Sequence, residues 1–171
     1  MSSDKMKEIK LDKVTLNIGT GEPGDRLDKA MKLLRNMTGM KPVSTKTQKR
    51  IPTWKIRPGL QIGCRVTLRK EKAREMLNRL LLSMDNKIDA RKFDSNGNFS
   101  FGIKEYLDIP GVKYDPEIGI IGLEAAVTLK RPGFRIKSRR LRPKKVHKSH
   151  LITKDEAMEF IKKEFKTEIV Q

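Results

Sequence analysis

Positive charge in this chain is concentrated in two segments that contain no acidic residue. Residues 41–70 carry nine Lys and Arg side chains, and residues 130–150 carry ten. Together they exceed the formal net charge of +18, so the rest of the chain is close to neutral. So much uncompensated positive charge repels itself in a free globule, and a polyanion that neutralises it removes this repulsion. The sequence therefore predicts two surfaces for a polyanion.

Composition narrows the class of protein. Cys64 is the single cysteine, so the chain cannot form an internal disulfide, which fits a reducing compartment. The first ten residues lack the apolar stretch of a signal peptide, and no apolar run approaches the roughly 18 residues of a membrane span. We expect a cytoplasmic protein with no membrane partner.

The first half of the chain alternates between strand and helix patterns. Residues 14–18 alternate apolar and polar side chains, which predicts a half-buried strand. A helix follows, with Asp25 as its expected N-cap, apolar positions from Leu27 to Met37, and Gly39 as its end. Residues 43–47 predict a second strand, and the Pro- and Gly-containing residues 48–60 predict a protruding loop.

The next segments extend this pattern to the C-terminus. Alternation at 62–68 predicts a strand with a basic outer face, and residues 76–84 predict an amphipathic helix. Asn96-Gly97 predicts a type I′ hairpin turn ahead of a strand at 99–101. A further strand is expected at 123–129.

Beyond that strand, residues 130–150 predict an extended, poorly ordered arm. A capping box at Thr153–Glu156 opens a last helix over 153–169. The order of elements predicts an α+β fold in one domain over residues 1–171, with a mainly antiparallel sheet and helices on one face. A basic and polar open sheet face is a common platform for RNA. The side chains expected on that face are Thr15, Asn17, Arg65, Thr67 and Arg69.

Three motifs resemble small-ligand sites, and each has a simpler explanation. Gly19–Gly24 fits the spacing of a dinucleotide loop, but Glu22 would repel a pyrophosphate and no acid follows for the ribose. A tight turn or a local RNA-backbone contact remains open there. Asp94–Glu105 fits several calcium-loop positions, yet Phe99 stands where glycine is needed. His147 and His150 lack the four ligands of a zinc site, and no cofactor is expected.

Trp54 lies in a loop among prolines and cations, which is unusual for a core tryptophan. It is either a platform on which a base stacks or an anchor packed against the domain edge. A nuclear-localisation or heparin-type patch is the alternative for the arm, whose length and arginine density favour insertion into RNA. Cys64 falls on the apolar side of its strand, which predicts an inert thiol rather than a nucleophile.

Several stretches, in order along the chain, resemble the large-subunit ribosomal protein number five family, which binds 5S ribosomal RNA. They are residues 13–22 (KVTLNIGTGE), 38–42 (TGMKP), 56–69 (IRPGLQIGCRVTLR) and 93–105 (FDSNGNFSFGIKE). Residues 131–135 (RPGFR), the basic arm and residues 153–158 (TKDEAM) are similar to the archaeal and eukaryotic branch, and the compact length resembles an archaeal member.

The resemblance implies a non-enzymatic constituent of the large ribosomal subunit. It implies that the protein holds 5S rRNA in the central protuberance, beside large-subunit rRNA and neighbouring ribosomal proteins, and that residues 48–59 reach P-site tRNA. Asn17, Trp54 and Thr67 match RNA-contacting positions of the family, whereas Met40 stands where the family usually has Gln. The full set of expected RNA-binding residues is Asn17, Met40, Lys46, Lys49, Arg50, Trp54, Lys55, Arg57, Arg65, Thr67, Arg69, Arg131, Arg135, Arg139, Arg140, Arg142, Lys144 and Lys145.

Two alternatives from other classes are an RNA-modifying enzyme with basic substrate grips and a nucleotide-dependent oxidoreductase built on Gly19–Gly24. The sequence offers no cluster of acid, base or metal ligands for the first. The only feature that supports the oxidoreductase is the glycine spacing.

Overall fold

A computed structural model describes residues 5–170 of the chain. Within these residues the chain forms three helices and seven strands. In chain order they are β1 (Lys10–Gly19), α1 (Asp25–Thr38), β2 (Val43–Lys46), β3 (Gln61–Leu68), α2 (Lys70–Leu82), β4 (Lys87–Asp89), β5 (Phe99–Ile103), β6 (Leu123–Lys130), α3 (Lys154–Phe165) and β7 (Glu168–Val170).

Five strands form one sheet in the order β2-β3-β1-β6-β5, and β4 pairs with β7 in a second, two-stranded sheet. β3 runs antiparallel to both of its neighbours, β1 and β2. β1, β3 and β6 bury every second side chain, which is why an alternating sequence pattern located them. The predicted α+β class with a mainly antiparallel sheet is confirmed.

The chain divides into two compact units, each assembled from separate stretches of sequence. One unit contains residues 14–68 and 101–126, and we call it the loop unit because it carries the 48–60 loop. The other contains the described residues up to 13, residues 69–100 and the residues from 127 onward, and we call it the arm unit. The expectation of a single domain over residues 1–171 stays a prediction.

In the loop unit, α1 packs on β3. Its buried side chains recur at helical spacing, and the alternate residues Cys64, Val66 and Leu68 of β3 are buried as well. The helix ends at Gly39, which takes the left-handed conformation at φ 63° and donates its N–H to the carbonyl of Arg35, as predicted. The start differs by one residue, because Gly24 occupies the N-cap and Asp25 is the first helical residue.

In the arm unit, α2 and α3 bury one apolar stripe each, and Phe93 stacks on Phe99 at 4.8 Å between ring centroids. The turn between these rings departs from the predicted type I′ geometry. Only Gly97 takes a positive φ, whereas the Asp94 carboxylate accepts the N–H groups of Asn96 and Asn98. The Asp94 side chain thus closes a longer loop through hydrogen bonds. A two-residue type I′ turn would instead need positive φ at both central residues.

The last helix is shorter than predicted. α3 opens on the expected capping box but ends at Phe165, where Lys166 takes a left-handed conformation at φ 52°. Residues after it form β7, which pairs in parallel with β4, and neither strand was predicted. The signal for β7 is the concentration of β-branched residues from Thr167 to Val170, which favours a strand over a helix.

Candidate nucleic-acid interface

Backbone hydrogen bonds close the 48–60 loop at both its tip and its base. Ile51 and Ile56 exchange two backbone hydrogen bonds of 3.0 Å, which close its tip. At its base, the N–H of Thr47 donates to the carbonyl of Leu60 and the N–H of Gly59 donates to that of Thr47. These backbone hydrogen bonds hold the tip and the base of the loop in one conformation. Binding a partner would therefore cost little additional conformational entropy in the loop backbone.

Trp54 lies at this tip, in a short 3₁₀ turn over Pro52–Trp54, with its side chain 70% exposed. The exposure contradicts the alternative of an anchor packed against the domain edge. Three cationic side chains of the same tip are also exposed, and no acidic side chain lies between residues 41 and 70. They are Arg50, Lys55 and Arg57. An exposed aromatic ring among cations can stack on a base while the cations hold its phosphates.

The open face of the sheet carries the polar set predicted from alternation. In the antiparallel register Thr15 lies opposite Thr67 and Asn17 lies opposite Arg65, so these four side chains share one face of β1 and β3. The two threonine hydroxyls lie 3.4 Å apart, and Arg65 is exposed. Arg69, which was expected with them, belongs to the arm unit, where its guanidinium pairs with Asp12 at 3.3 Å.

Next to these side chains, the same face has a shallow depression of about 410 Å³. Its lining includes three glycines, Gly19, Gly102 and Gly122. Asn17 and Glu124 also line it, and the Asn17 amide donates to the Glu124 carboxylate at 3.3 Å. Gly122 is required by the fold, since a Cβ there would lie 2.8 Å from the carbonyl of Lys104.

Gly19 and Gly102 have no such requirement. A Cβ on either would meet nothing within 4 Å, and neither has a positive φ. Glycine weakens a strand, and one that packing does not explain often marks the close approach of another molecule. Sequence reasoning missed Gly102, although the glycine in the alternating run Phe99–Ile103 was the available signal.

The three remaining predicted positions of the loop unit lie between the end of α1 and the start of the 48–60 loop. Met40 is half-buried directly after α1, and its N–H donates to the hydroxyl of Thr38. Lys46 lies exposed at the end of β2 opposite Gln61, and Lys49 is exposed where the loop begins. These lysines can add charge beside the loop, whereas Met40 has only an apolar side chain to offer.

The basic arm contains no long helix or strand, as expected, yet it departs from a simple extended chain. Short turns at Phe134–Lys137 and Lys148–His150 fold it, and the N–H of Lys144 returns to donate to the carbonyl of Ile136. The Arg139 side chain also donates to the carbonyl of Arg142. The predicted side chains that this arm exposes are Arg135, Arg139, Arg140, Arg142, Lys144 and Lys145.

Arg131 is a correction to the predicted set. Its side chain is 6% exposed, and its guanidinium donates to the Glu156 carboxylate at 2.6 Å and to the carbonyl of Leu151 at 3.2 Å. A guanidinium enclosed in this way cannot reach a phosphate. The error arose because Arg131 begins an acid-free run, and the partner carboxylate lies 25 residues further along the chain.

The motifs with small-ligand spacing have structural roles. The N–H groups of Thr20 and Gly21 donate to the carbonyl of Ile62, so they are occupied where a dinucleotide loop would offer them to phosphate. His150 contacts the carbonyl of Pro132 at 2.8 Å and His147 caps a turn through Ser149. Among residues 5–170, no group of three or more His, Cys, Asp or Glu could hold a metal ion. None of the helices in that range is long and apolar enough to cross a membrane.

Cys64 is buried, and burial raises the pKa of its thiol to about 11. We expect native protein at pH 8 to resist alkylation by iodoacetamide, because almost no thiolate is present and the sulfur is covered. Intact-mass measurement checks this, with urea-unfolded protein as the control that should be alkylated fully. Rapid modification of the folded protein would contradict an inert thiol.

Comparison with known proteins identifies the family. The profile described as Ribosomal protein L5 matches residues 4–57, and the profile described as the C-terminus of the same ribosomal family matches residues 61–160. This chain belongs to the ribosomal protein L5 family. Large ribosomal subunit protein uL5 of Nanoarchaeum equitans is 52% identical over 96% of this chain and 98% of its own length.

Two further archaeal proteins of this family are nearly as similar. Large ribosomal subunit protein uL5 of Sulfurisphaera tokodaii is 49% identical over 97% of this chain and 94% of its own length. That of Thermoplasma volcanium is 47% identical over 98% and 99%. The resemblance found in the sequence, including its archaeal character, is confirmed. The chain is a structural, non-enzymatic, cytoplasmic component of the large ribosomal subunit, with ribosomal RNA and ribosomal proteins as its partners.

Proposed function

We propose that this member of the family binds 5S rRNA on the open face of the loop unit and anchors it in the central protuberance. The arm contacts large-subunit rRNA, and the 48–59 loop contacts P-site tRNA. Neighbouring ribosomal proteins of the central protuberance complete the site. The observation that carries the proposal is the combination, within one unit, of an open polar and basic sheet face with an exposed tryptophan on an acid-free loop.

The division of labour follows from the chemistry of the side chains. Arginines and lysines of the loop and arm supply affinity through phosphates, which carries no sequence information. Asn17 and Thr67 offer hydrogen bonds at fixed positions of a sheet, and Trp54 offers a stacking surface. The glycine-lined depression leaves the backbone of β1 at Gly19 and of β5 at Gly102 without a covering side chain, so RNA can approach it directly. Rigid placement of these groups supports recognition by shape beyond charge alone.

Filling the depression tests this proposal without adding or removing charge. Gly102→Val directs a side chain into open space, and valine suits a strand, so thermal stability should stay unchanged or rise slightly. We expect affinity for a 5S rRNA transcript to fall about tenfold, because the added methyl groups hold the RNA away from the sheet. Filter binding at fixed salt measures it.

Asn36→Gln is the matched control, because it enlarges an exposed, uncharged side chain of the same unit on α1, the helix that packs on β3, and not on the open face of the sheet. Its 5S affinity should stay within about twofold of the parent, as for most exposed substitutions. If Gly102→Val also binds 5S rRNA like the parent, the open face does not carry the RNA and the proposal for this face fails.

A further inference from the structure

The two ends of the basic arm are fastened to each other by Arg131. This side chain stands where β6 has just ended, and its guanidinium reaches across to α3 and to Leu151, which lies shortly before that helix. One nitrogen donates to Glu156 at 2.6 Å and another to the carbonyl of Leu151 at 3.2 Å. A single side chain thus holds the start of the arm against its end.

A second contact closes the same base. The His150 Nε2 lies 2.8 Å from the carbonyl of Pro132, and the His150 ring meets Phe134 edge-on at 5.7 Å between ring centroids. Gly133 lies beneath this contact, since a Cβ there would approach the imidazole at 3.6 Å. Pro132 near the start of the arm and His150 at its end are therefore in contact, which gives the segment the closed base of an Ω-loop.

Glu156 is itself fixed in place. Its second carboxylate oxygen accepts the N–H of Thr153 at 2.9 Å in the capping box of α3. That backbone hydrogen bond, together with Arg131 and against the effect of burial, lowers the pKa of Glu156, so the carboxylate is charged at neutral pH. The acceptor that holds Arg131 is therefore anchored to a helix terminus rather than free to swing.

Stability alone does not explain why a buried arginine stands at position 131. Arg131 is buried, and its Nε has no hydrogen-bond partner among residues 5–170. A buried donor without a partner is destabilising, so an apolar side chain would suit the interior at least as well for stability alone. A buried ionic contact that is not needed for stability can instead specify one arrangement of the chain.

We propose that Arg131, with Glu156, is a positioning clasp that holds the arm as a closed loop ready for ribosomal RNA, and that Arg131 itself does not touch RNA. This inference rests on the proposed contact between the arm and RNA. Opening the clasp should leave every exposed cation of the arm in place. It should make the free arm more flexible, so that binding RNA costs more conformational entropy. Affinity would then fall although no RNA-contacting group is lost.

The test is a double-mutant cycle in the full-length chain. Arg131→Met opens the clasp. A second variant replaces Arg140, Lys144 and Lys145 with Gln, and we call it the neutral arm for these three positions, although the other basic residues of the arm remain. The three removed charges are exposed, and their side chains make no hydrogen bond or ion pair among the described residues. Affinity for deproteinised archaeal large-subunit RNA, 5S rRNA included, is measured for the parent, both single variants and their combination.

Arg74→Met is the matched control, because it breaks another ion pair of the arm unit, that between Arg74 and Glu164 at 2.8 Å. We expect Arg131→Met to weaken RNA binding about tenfold in the parent arm and by less than about twofold in the neutral arm. Amide exchange of the free protein should be faster at Lys144 and His150 in Arg131→Met and unchanged in Arg74→Met.

The possible outcomes distinguish failure of the clasp inference from failure of the proposed contact between the arm and RNA. Equal losses in both arm backgrounds would show that Arg131 supports the fold in general and would overturn the inference. No loss from Arg131→Met, beside a clear loss in the neutral arm, would overturn the clasp and leave the arm as an RNA contact. A neutral arm that binds as tightly as the parent would instead overturn the proposed contact between arm and RNA, and the clasp inference with it.

Discussion

Replacing Arg140, Lys144 and Lys145 with Gln is expected to lower the affinity for large-subunit rRNA by about two to three orders of magnitude at 0.1 M salt. The three side chains are exposed on the folded arm. Each phosphate contact contributes about 0.7–0.9 to the slope of log affinity against log salt, so the slope should fall by about two to three. Filter binding across a salt series measures both quantities.

The control for this prediction has the same change in net charge. Lys72, Lys162 and Lys163 are exposed on α2 and α3 of the same unit, and their replacement with Gln removes three charges outside both basic segments. The salt slope of that variant should match the parent. If the two triple variants lost affinity equally, net charge alone would explain RNA binding and the arm would have no particular role.

Trp54→Ala is expected to weaken the binding of tRNA to the P site of reconstituted subunits by about 1–3 kcal/mol, the contribution of one stacked base. The ring is 70% exposed and the loop is closed by backbone bonds of Ile51 and Ile56, so the substitution should leave folding unchanged. Trp54→Phe keeps an aromatic face and should recover most of the loss. Competition binding with labelled tRNA provides the measurement.

Leu82→Ala is the matched control for losing an exposed apolar side chain, since Leu82 is 55% exposed at the end of α2. It should bind tRNA and 5S rRNA like the parent. Unchanged binding of both RNAs by Trp54→Ala would exclude a stacking role and leave the exposed ring unexplained.

Alternation and helical spacing were sufficient to locate the longer strands and the three helices. Val14, Leu16 and Ile18 are all buried, and so are Cys64, Val66 and Leu68, because a strand that covers a core must place every second side chain inward. Helix ends were predictable where a local group decides them, as Gly39 and Thr153 do.

Elements that depend on distant partners were not predictable in this way. β4 and β7 are three residues long and are defined by pairing with each other across some 80 residues of sequence. No periodicity can be read from so short a run. The length of α3 was overestimated for the same reason, because Ile169 fits a helical stripe until its strand partner Ile88 is known.

The candidate interface shows the same limit. The cationic segments and the position of Trp54 among them were evident in the sequence, because charge can be read from residue types alone. Whether Trp54 is exposed was left open by the sequence, and the fold decided it. Arg131 could not be separated from its basic neighbours, since only the fold brings Glu156 to its guanidinium. The depression was also hidden, because its glycines lie far apart in the sequence, in β1, in β5 and just before β6, and only the sheet brings them together.

The most direct test of 5S recognition compares affinity for archaeal 5S rRNA with affinity for a tRNA of similar charge, in the same salt series. A shaped site beyond charge predicts 5S binding at least about a hundredfold tighter than tRNA binding at 0.15 M salt, with selectivity that persists as salt rises. Equal affinities for the two RNAs, collapsing together with salt, would contradict a 5S-specific face and leave only a polycation.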